Sequence, residues 1–131
     1  RMHLGNLFAE HELAYQSELK SQTLDQARKK AFRAPLILVG IAAPREHPKV
    51  PRIEQVVSTG GVLNIIGLAT YLSGFGAVWR TGDYAYSPIV KAGLSVSQSE
   101  EIVGFMYIGT PINRDRDPPS ISLDDYIYSW P

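Results

Sequence analysis

The chain has 131 residues, enough for one domain with a moderate hydrophobic core. Thirteen basic and thirteen acidic side chains give zero net charge, which argues against nucleic acid or an anionic membrane as a general partner, because both attract basic proteins. Cysteine is absent, which excludes disulfide bonds and cysteine-ligated metals.

The first third of the chain predicts two helices and a strand. We expect one helix from Arg1 to about Lys20 and a second from Leu24 to Phe32. A capping-box pattern precedes the second helix: Thr23 can accept a hydrogen bond from a first-turn amide while Gln26 reaches back. Residues 36–42, Leu-Ile-Leu-Val-Gly-Ile-Ala, form a continuous apolar run of strand length. Such a run is typical of a central strand buried on both faces.

A long third helix is predicted from about Arg52 to Leu72. Its apolar residues leave few polar positions, so we expect it to be buried on most sides. Gly60 and Gly61 remove side-chain bulk and would allow another helix to lie very close. Gly74 is placed as the residue that ends this helix.

Glycines flank the second predicted strand, which runs from Phe75 to Trp79 within the stretch Gly-Phe-Gly-Ala-Val-Trp-Arg-Thr-Gly, residues 74–82. Glycine weakens a strand, so it usually marks a bulge or a place where another group approaches the backbone closely. Without further context a simpler explanation is favoured, in which Gly74 ends the helix and Gly76 lets that helix pack on the strand.

The rest of the chain predicts a short helix, a third strand and a tail. Ser87 and Pro88 are typical of a helix start, with serine as the cap and proline at the first helical position. That helix should end at Gly93, and a third strand is expected at Ile102–Ile108. The extended tail, residues 112–131, cannot build a core of its own, so its apolar side chains need another surface to cover.

Motifs for nucleophilic hydrolysis, zinc hydrolysis and nucleotide phosphate binding are missing from the sequence. The histidines, His3, His11 and His47, lack metal-ligand spacing, so no metal site is expected. No apolar run approaches the roughly 18 residues of a membrane-spanning helix, and no signal-peptide pattern is present, so we expect a soluble cytoplasmic protein.

Four motifs in a fixed order resemble the FMN-dependent nitroreductase family, in particular its short YdjA-like branch of NAD(P)H nitroreductases. They are FRAP (32–35), HPKVPRIEQ (47–55), GFGAVWRTG (74–82) and EEIVGFMYIGTP (100–111). The resemblance covers residues 1–111. It implies an α+β fold, a three-layer α/β/α sandwich with a mainly antiparallel sheet, over one nitroreductase-like domain, residues 1–131.

The resemblance also implies that a flavin lies against the turn after the second strand. Carried over residue by residue, Trp79, Arg80, Thr81 and Gly82 form a wall beside the isoalloxazine ring, with the Thr81 amide as the candidate donor to N5. Arg80 would neutralise either the N1/O2 side of the ring or the phosphate, unless it is an ordinary surface arginine at a strand end. Lys91 is placed to reach the phosphate, although a solvated helix lysine is equally plausible.

Further basic residues, Arg114 and Arg116, fall where many family members place basic side chains on the phosphate. Here they alternate with Asp115 and Asp117, which would pair with them. The family's N-terminal segment, which holds another part of the phosphate site, is absent from these 131 residues. We therefore expect an N-terminally incomplete site, and a chain that alone binds FMN poorly and has little reductase activity.

The leading interpretation is an enzyme, an NAD(P)H-dependent, FMN-containing oxidoreductase that passes hydride through flavin N5 to a nitroaromatic, quinone or similar acceptor. No acid–base side chain is obligatory in such chemistry, so none is assigned. The resemblance also implies a homodimer, for which the helix at residues 52–72 is the natural central element. The alternative is a non-catalytic, truncated nitroreductase-like chain that dimerises without flavin.

Overall fold

Helices cover both faces of a small antiparallel sheet in the computed structural model, which describes residues 1–16, 18, 20–112 and 119–130. In chain order the elements are α1 (Met2–Tyr15), α2 (Ser21–Lys30), β1 (Leu36–Ala42), α3 (Arg52–Leu72), β2 (Gly76–Arg80), α4 (Asp83–Tyr86), α5 (Pro88–Gly93) and β3 (Glu101–Gly109). A single 3₁₀ turn, Leu123–Asp125, lies in the tail.

The sheet has the order β1-β3-β2, and both pairings are antiparallel. The predicted bounds of β1 are confirmed, but the prediction that β1 is central and buried on both faces is wrong. Within the described chain β3 is central, while β1 is an edge strand whose Leu36 and Ile41 are exposed. Both strands are apolar runs, so hydrophobicity alone could not decide which of them takes the middle.

The hydrophobic core lies between the sheet and the layer formed by α1, α2, α4 and α5. Phe8 of α1 stands at its centre, stacked on Tyr84 with ring centroids 4.1 Å apart and edge-on to Phe105 at 5.6 Å. Side chains alternate across a strand, so Met106 faces the opposite layer, where α3 contacts all three strands. The predicted α+β sandwich with an antiparallel sheet is confirmed.

The start of α2 differs from the prediction. The helix begins at Ser21, with Lys20 as the N-cap residue, and no side chain caps it. The Thr23 amide donates to the Lys20 carbonyl at 2.9 Å, so Thr23 already lies inside the first turn and cannot act as the cap. The capping-box prediction is therefore wrong, and the helix also ends two residues early, at Lys30.

The bounds of α3 and its end are confirmed. Gly74 has a φ of 84°, and its amide donates to the Tyr71 carbonyl at 2.9 Å. The Phe75 amide donates to the Thr70 carbonyl at 3.1 Å. These two bonds form a Schellman motif, which glycine favours because it has no Cβ to oppose a positive φ.

The expected burial of α3 is wrong for the chain alone, since Leu63 is its one buried residue. Only one stripe of the helix packs on the sheet, and no described element covers the other side. By length and composition α3 would also qualify as a membrane-crossing helix, a weak test that a core helix of a non-membrane protein passes as well. We call its exposed apolar stripe the α3 outer face; it consists of Ile53, Val57, Gly61, Val62, Ile65, Leu68, Tyr71 and Leu72.

Gly60 and Gly76 lie against the sheet and the segment that follows it. A Cβ at Gly60 would lie 3.4 Å from Trp79 Cη2, an ordinary contact distance, so this glycine faces an aromatic ring of β2. A Cβ at Gly76 would lie 3.4 Å from Pro111 Cβ, so Gly76 accommodates Pro111 and not α3. Close packing is present at both glycines, but against the sheet and the chain that follows it.

The strands β2 and β3 and the helix α5 agree with the prediction to within one residue, whereas α4 was not predicted. The Ser87 hydroxyl accepts a hydrogen bond from the Val90 amide at 3.3 Å, and Pro88 occupies the first turn of α5, which ends at Gly93. The described part of the tail exposes its apolar side chains, including Tyr126 and Trp130.

Candidate functional site

The end of β2 and the turn after it carry four of the five predicted site residues. Trp79 pairs with Met106 and lies on the α3 side of the sheet, where its indole Nε1 donates to the Val103 carbonyl at 3.3 Å. Arg80 is the next residue and points to the other face. Thr81 and Gly82 follow and are exposed. The sheet thus presents an indole and a guanidinium on either side of one strand end.

Gly82 adopts a backbone conformation that is nearly restricted to glycine, with φ 78° and ψ −171°. It is the residue before α4, and its carbonyl accepts from the Ala85 amide at 3.0 Å. A Cβ added here would meet no described atom within 4 Å. Glycine is therefore needed here for its backbone conformation and not to avoid a clash. The space on the outside of the turn is open.

Gly104 of β3 leaves the space that the Trp79 indole occupies, a role that the sequence analysis did not predict. A Cβ at this position would overlap the Trp79 indole nitrogen and would lie 2.8 Å from the Arg80 carbonyl oxygen. The indole can lie flat across the sheet only because residue 104 has no side chain. A glycine inside an otherwise apolar strand run was the available signal.

Arg80 shares a cavity of about 360 Å³ with Arg33, which the sequence analysis did not select. Tyr107, residues of β2 and the segments before β1 and after β3 also line this cavity. Burial raises the pKa of the Tyr107 phenol, and the two arginines oppose this shift. Neither guanidinium forms an ion pair with another described residue, so the described lining of the cavity carries net positive charge. The motif FRAP, which contains Arg33, was the signal that could have found it.

Lys91 lies elsewhere and is already bonded. Its amine donates to the Glu100 carbonyl at 2.6 Å and lies 3.7 Å from the Glu101 carboxylate, which also binds Arg52 at 2.6 Å. These contacts hold the loop before β3 against α5. Lys91 does not line the Arg33–Arg80 cavity, and its role toward a phosphate stays a prediction. The residues Arg114 and Arg116 lie outside the described part of the chain.

A polar cluster fixes α4, and hence the turn before it, to the helical layer. The Tyr84 hydroxyl donates a short hydrogen bond to Glu12, and the Lys30 amine donates to the Tyr84 oxygen at 2.5 Å. The hydrogen bond from Tyr84 to Glu12, and then the charge of Lys30, hold the pKa of Glu12 below its usual value. Burial, followed by the bond to Glu12, raises the pKa of Tyr84 well above its usual value. The three residues are distant in sequence, so no local pattern could have grouped them.

Sequence relatives are nitroreductases by name. The chain is 41% identical over 90 residues to "Putative NAD(P)H nitroreductase YdjA" of Escherichia coli strain K12. The match covers 69% of this chain and 49% of that protein, so the chain spans about half the length of this relative. No protein-family model matches the chain.

Solved structures show the same fold. The nitroreductase-like family protein from Bacillus cereus superposes with a TM-score of 0.70 at 19% identity, over 98% of this chain and 64% of the other. A variant of the FMN and NADPH-dependent nitroreductase NfnB from sphigopyxis sp. strain HMH superposes with a TM-score of 0.61 at 20% identity. The match covers 94% of this chain and 56% of the other. The resemblance to the nitroreductase family that the motifs predicted is confirmed, and so is the nitroreductase-like fold.

Proposed function

From a chain whose sequence and fold resemble those of nitroreductases, we propose an FMN-dependent oxidoreductase that transfers hydride from NAD(P)H through flavin N5 to a nitroaromatic, quinone or similar acceptor. The observation that carries this proposal is the 41% identity over 90 residues to a protein named as an NAD(P)H nitroreductase. The neighbour NfnB, which is named as FMN and NADPH-dependent, supports the cofactor and the co-substrate.

When bound, FMN supplies the two-electron chemistry, and the protein supplies orientation and electrostatics. The turn at residues 79–82 fits such a group, because the space beyond Gly82 is open and the turn is exposed. The Thr81 amide is the proposed donor to the N5 edge. Since a backbone dipole is already oriented, it stabilises developing negative charge without reorganisation. The Trp79 indole lies beside Gly104 on the α3 side of the sheet and donates to the Val103 carbonyl.

The proposed anion partner is the cavity shared by Arg33 and Arg80. Its positive charge is unpaired among the described residues, and it suits either the phosphate of FMN or the N1/O2 edge of the ring. Arg80 connects the two parts of the proposed site, because it is both the end of β2 and a wall of this cavity. Lys91 keeps a lower place in the proposal, since its amine is bonded to Glu100.

A flavin titration tests the proposal. The purified protein is examined by absorbance for bound flavin, titrated with FMN, and assayed for NAD(P)H oxidation with a quinone or nitroaromatic acceptor. We expect weak but saturable FMN binding by these 131 residues, and slow acceptor-dependent oxidation. In Arg80→Gln the affinity should fall about two- to fivefold, the range for an exposed charge contact. Arg45→Gln removes an exposed arginine outside the proposed site and should leave the affinity unchanged.

Two outcomes contradict the proposal. A colourless protein that takes up no added FMN would favour the non-catalytic alternative. If Arg80→Gln and Arg45→Gln lose FMN affinity equally, the Arg33–Arg80 cavity is not part of the FMN site.

A homodimer through the α3 outer face is also proposed. This face exposes a stripe of apolar side chains, and exposed apolar patches are typical of interaction surfaces. Gly61 lies within the stripe, and a Cβ there would meet nothing within 4 Å, so a second helix has room to approach.

The cytoplasmic location stays a prediction.

A further inference from the structure

The turn at residues 79–82 has few contacts of its own. It begins at the end of β2, where Arg80 pairs with Phe105 of β3. Thr81 and Gly82 are exposed, and no hydrogen bond joins Thr81 to another described residue. Glycine also opposes few changes of φ and ψ. The direction of the Thr81 amide is therefore set by the two segments that flank the turn.

The segment after the turn is α4, a helix of a single turn. A first helical turn is unfavourable by itself, because several residues must be fixed for one hydrogen bond. Contacts with the rest of the protein must therefore hold α4 in place. Two of its residues provide such contacts: Ala85 is buried, and Tyr84 reaches both α1 and α2.

Tyr84 is held through both its ring and its hydroxyl. The ring stacks on Phe8 at 4.1 Å and meets the edge of His11 at 5.2 Å between centroids. The hydroxyl donates to Glu12, and it accepts from the Lys30 amine at 2.5 Å. A stacked ring can still slide and turn in its plane, whereas hydrogen bonds are directional and fix the position of the hydroxyl. The hydroxyl thus anchors α4 to two helices at once.

This anchor is strong and close to the turn. Both partners of the hydroxyl are charged groups, and hydrogen bonds to ionised groups are about twice as strong as neutral ones. Glu12 and Lys30 also lie 3.4 Å apart, so each holds the other in place. Tyr84 is the second residue after Gly82, whose carbonyl accepts from the Ala85 amide at 3.0 Å. A movement of Tyr84 is therefore passed to the turn through one short helix.

We propose that Tyr84 is a positioning residue for the proposed flavin site. Its hydroxyl, bonded to Glu12 and Lys30, fixes α4 and through it the direction of the Thr81 amide. The inference rests on the proposed function, in which that amide donates to flavin N5. Tyr84 acts through the turn and needs no contact with the flavin.

The test removes the hydroxyl and keeps the ring. Tyr84→Phe loses one oxygen atom, so the stack on Phe8 can remain while both bonds are lost. Tyr86→Phe makes the same chemical change in the same helix, at an exposed ring. Order parameters of the backbone amides are measured by ¹⁵N NMR relaxation in protein without FMN. Circular dichroism checks that both variants are folded.

The first readout is the rigidity of the turn. In the unmutated protein the amides of Thr81 and Gly82 should have order parameters near the rigid value of about 0.85. Tyr84→Phe should lower them towards about 0.6, the value of flexible backbone, while the amides of β1 stay rigid. Tyr86→Phe should leave both regions unchanged.

The second readout is the affinity for FMN. Tyr84→Phe should weaken FMN binding about two- to tenfold, the range that corresponds to the net contribution of one hydrogen bond. Glu12→Gln keeps an oxygen that can accept from Tyr84, so it should weaken binding less. Tyr86→Phe should leave the affinity unchanged.

Four results would overturn the proposal. Two concern the turn itself: flexible Thr81 and Gly82 amides in the unmutated protein, or order parameters that Tyr84→Phe leaves unchanged. The others are an equal loss of order in β1, and an equal loss of FMN affinity in Tyr84→Phe and Tyr86→Phe. A protein that takes up no FMN would contradict the proposed function instead. The order parameters are read without ligand, so they decide whether Tyr84 controls the turn in either case.

Discussion

Replacing Gly82 with alanine separates backbone strain from lack of space, because the structure predicts a large cost with no clash. The added Cβ would meet no atom within 4 Å, yet φ is 78° and ψ is −171°, where side chains are strained. Such a conformation costs a non-glycine residue about 1–3 kcal/mol. With a urea m-value of about 1–3 kcal/mol/M, the unfolding midpoint should fall by roughly 1 M. Thr81→Ala, an exposed change one residue earlier, should alter the free energy of unfolding by less than about 0.5 kcal/mol.

Urea titrations of the three proteins without ligand measure these midpoints. If Gly82→Ala unfolds at the same midpoint as Thr81→Ala, the strained conformation of the turn is refuted. A larger side chain then tests the flavin wall: Gly82→Val should weaken FMN binding more than tenfold, or by more than about 1.4 kcal/mol. Unchanged affinity in a folded Gly82→Val protein would remove the turn from the proposed site.

Three further predictions concern the sheet, the dimer and the polar cluster. Gly104→Ala should displace the Trp79 indole and shift its fluorescence to longer wavelength, and an unshifted spectrum would contradict the packing. Gly61→Leu should lower the mass measured by light scattering from two chains to one or cause aggregation, whereas a one-chain mass before mutation would refute the dimer. The folded pKa of Glu12 lies below its ordinary 4.5, so its stabilising effect is present above that pH and is lost as the pH falls through the folded value. Glu12→Gln should therefore lose less stability on acidification than the unmutated protein, and parallel pH–stability curves would argue against the bond to Tyr84.

Local sequence signals predicted two helix ends correctly, although the local capping-box pattern at Thr23 failed. The Schellman end at Gly74 and the start of α5 at Ser87 depend on residues within one helical turn. The order of the strands depends on long-range pairing, so β1 was placed in the middle when β3 occupies that position. The burial of α3 failed for a related reason, since composition reports how apolar a helix is and not how many layers surround it.

The proposed site shows the same division. The turn at residues 79–82 was assigned through the resemblance of the stretch GFGAVWRTG to the nitroreductase family, since the glycines alone favoured a simpler explanation. Arg33 joins Arg80 only through the fold, and Glu12 meets Tyr84 only when α1 and α4 pack together. Charged residues that converge from distant segments leave no periodic pattern, so the cavity and the polar cluster had to be found in three dimensions.

The central position of β3 has a consequence for how the protein is made. During synthesis β1 and β2 leave the ribosome before β3, and neither has a partner in the described sheet until β3 arrives. Two apolar strands and the exposed face of α3 must therefore wait unpaired while the chain is extended. Pairing that joins distant segments is slow to form, and unpaired strands are prone to aggregate. Nascent chains of this protein should depend on chaperones until residue 109 has emerged.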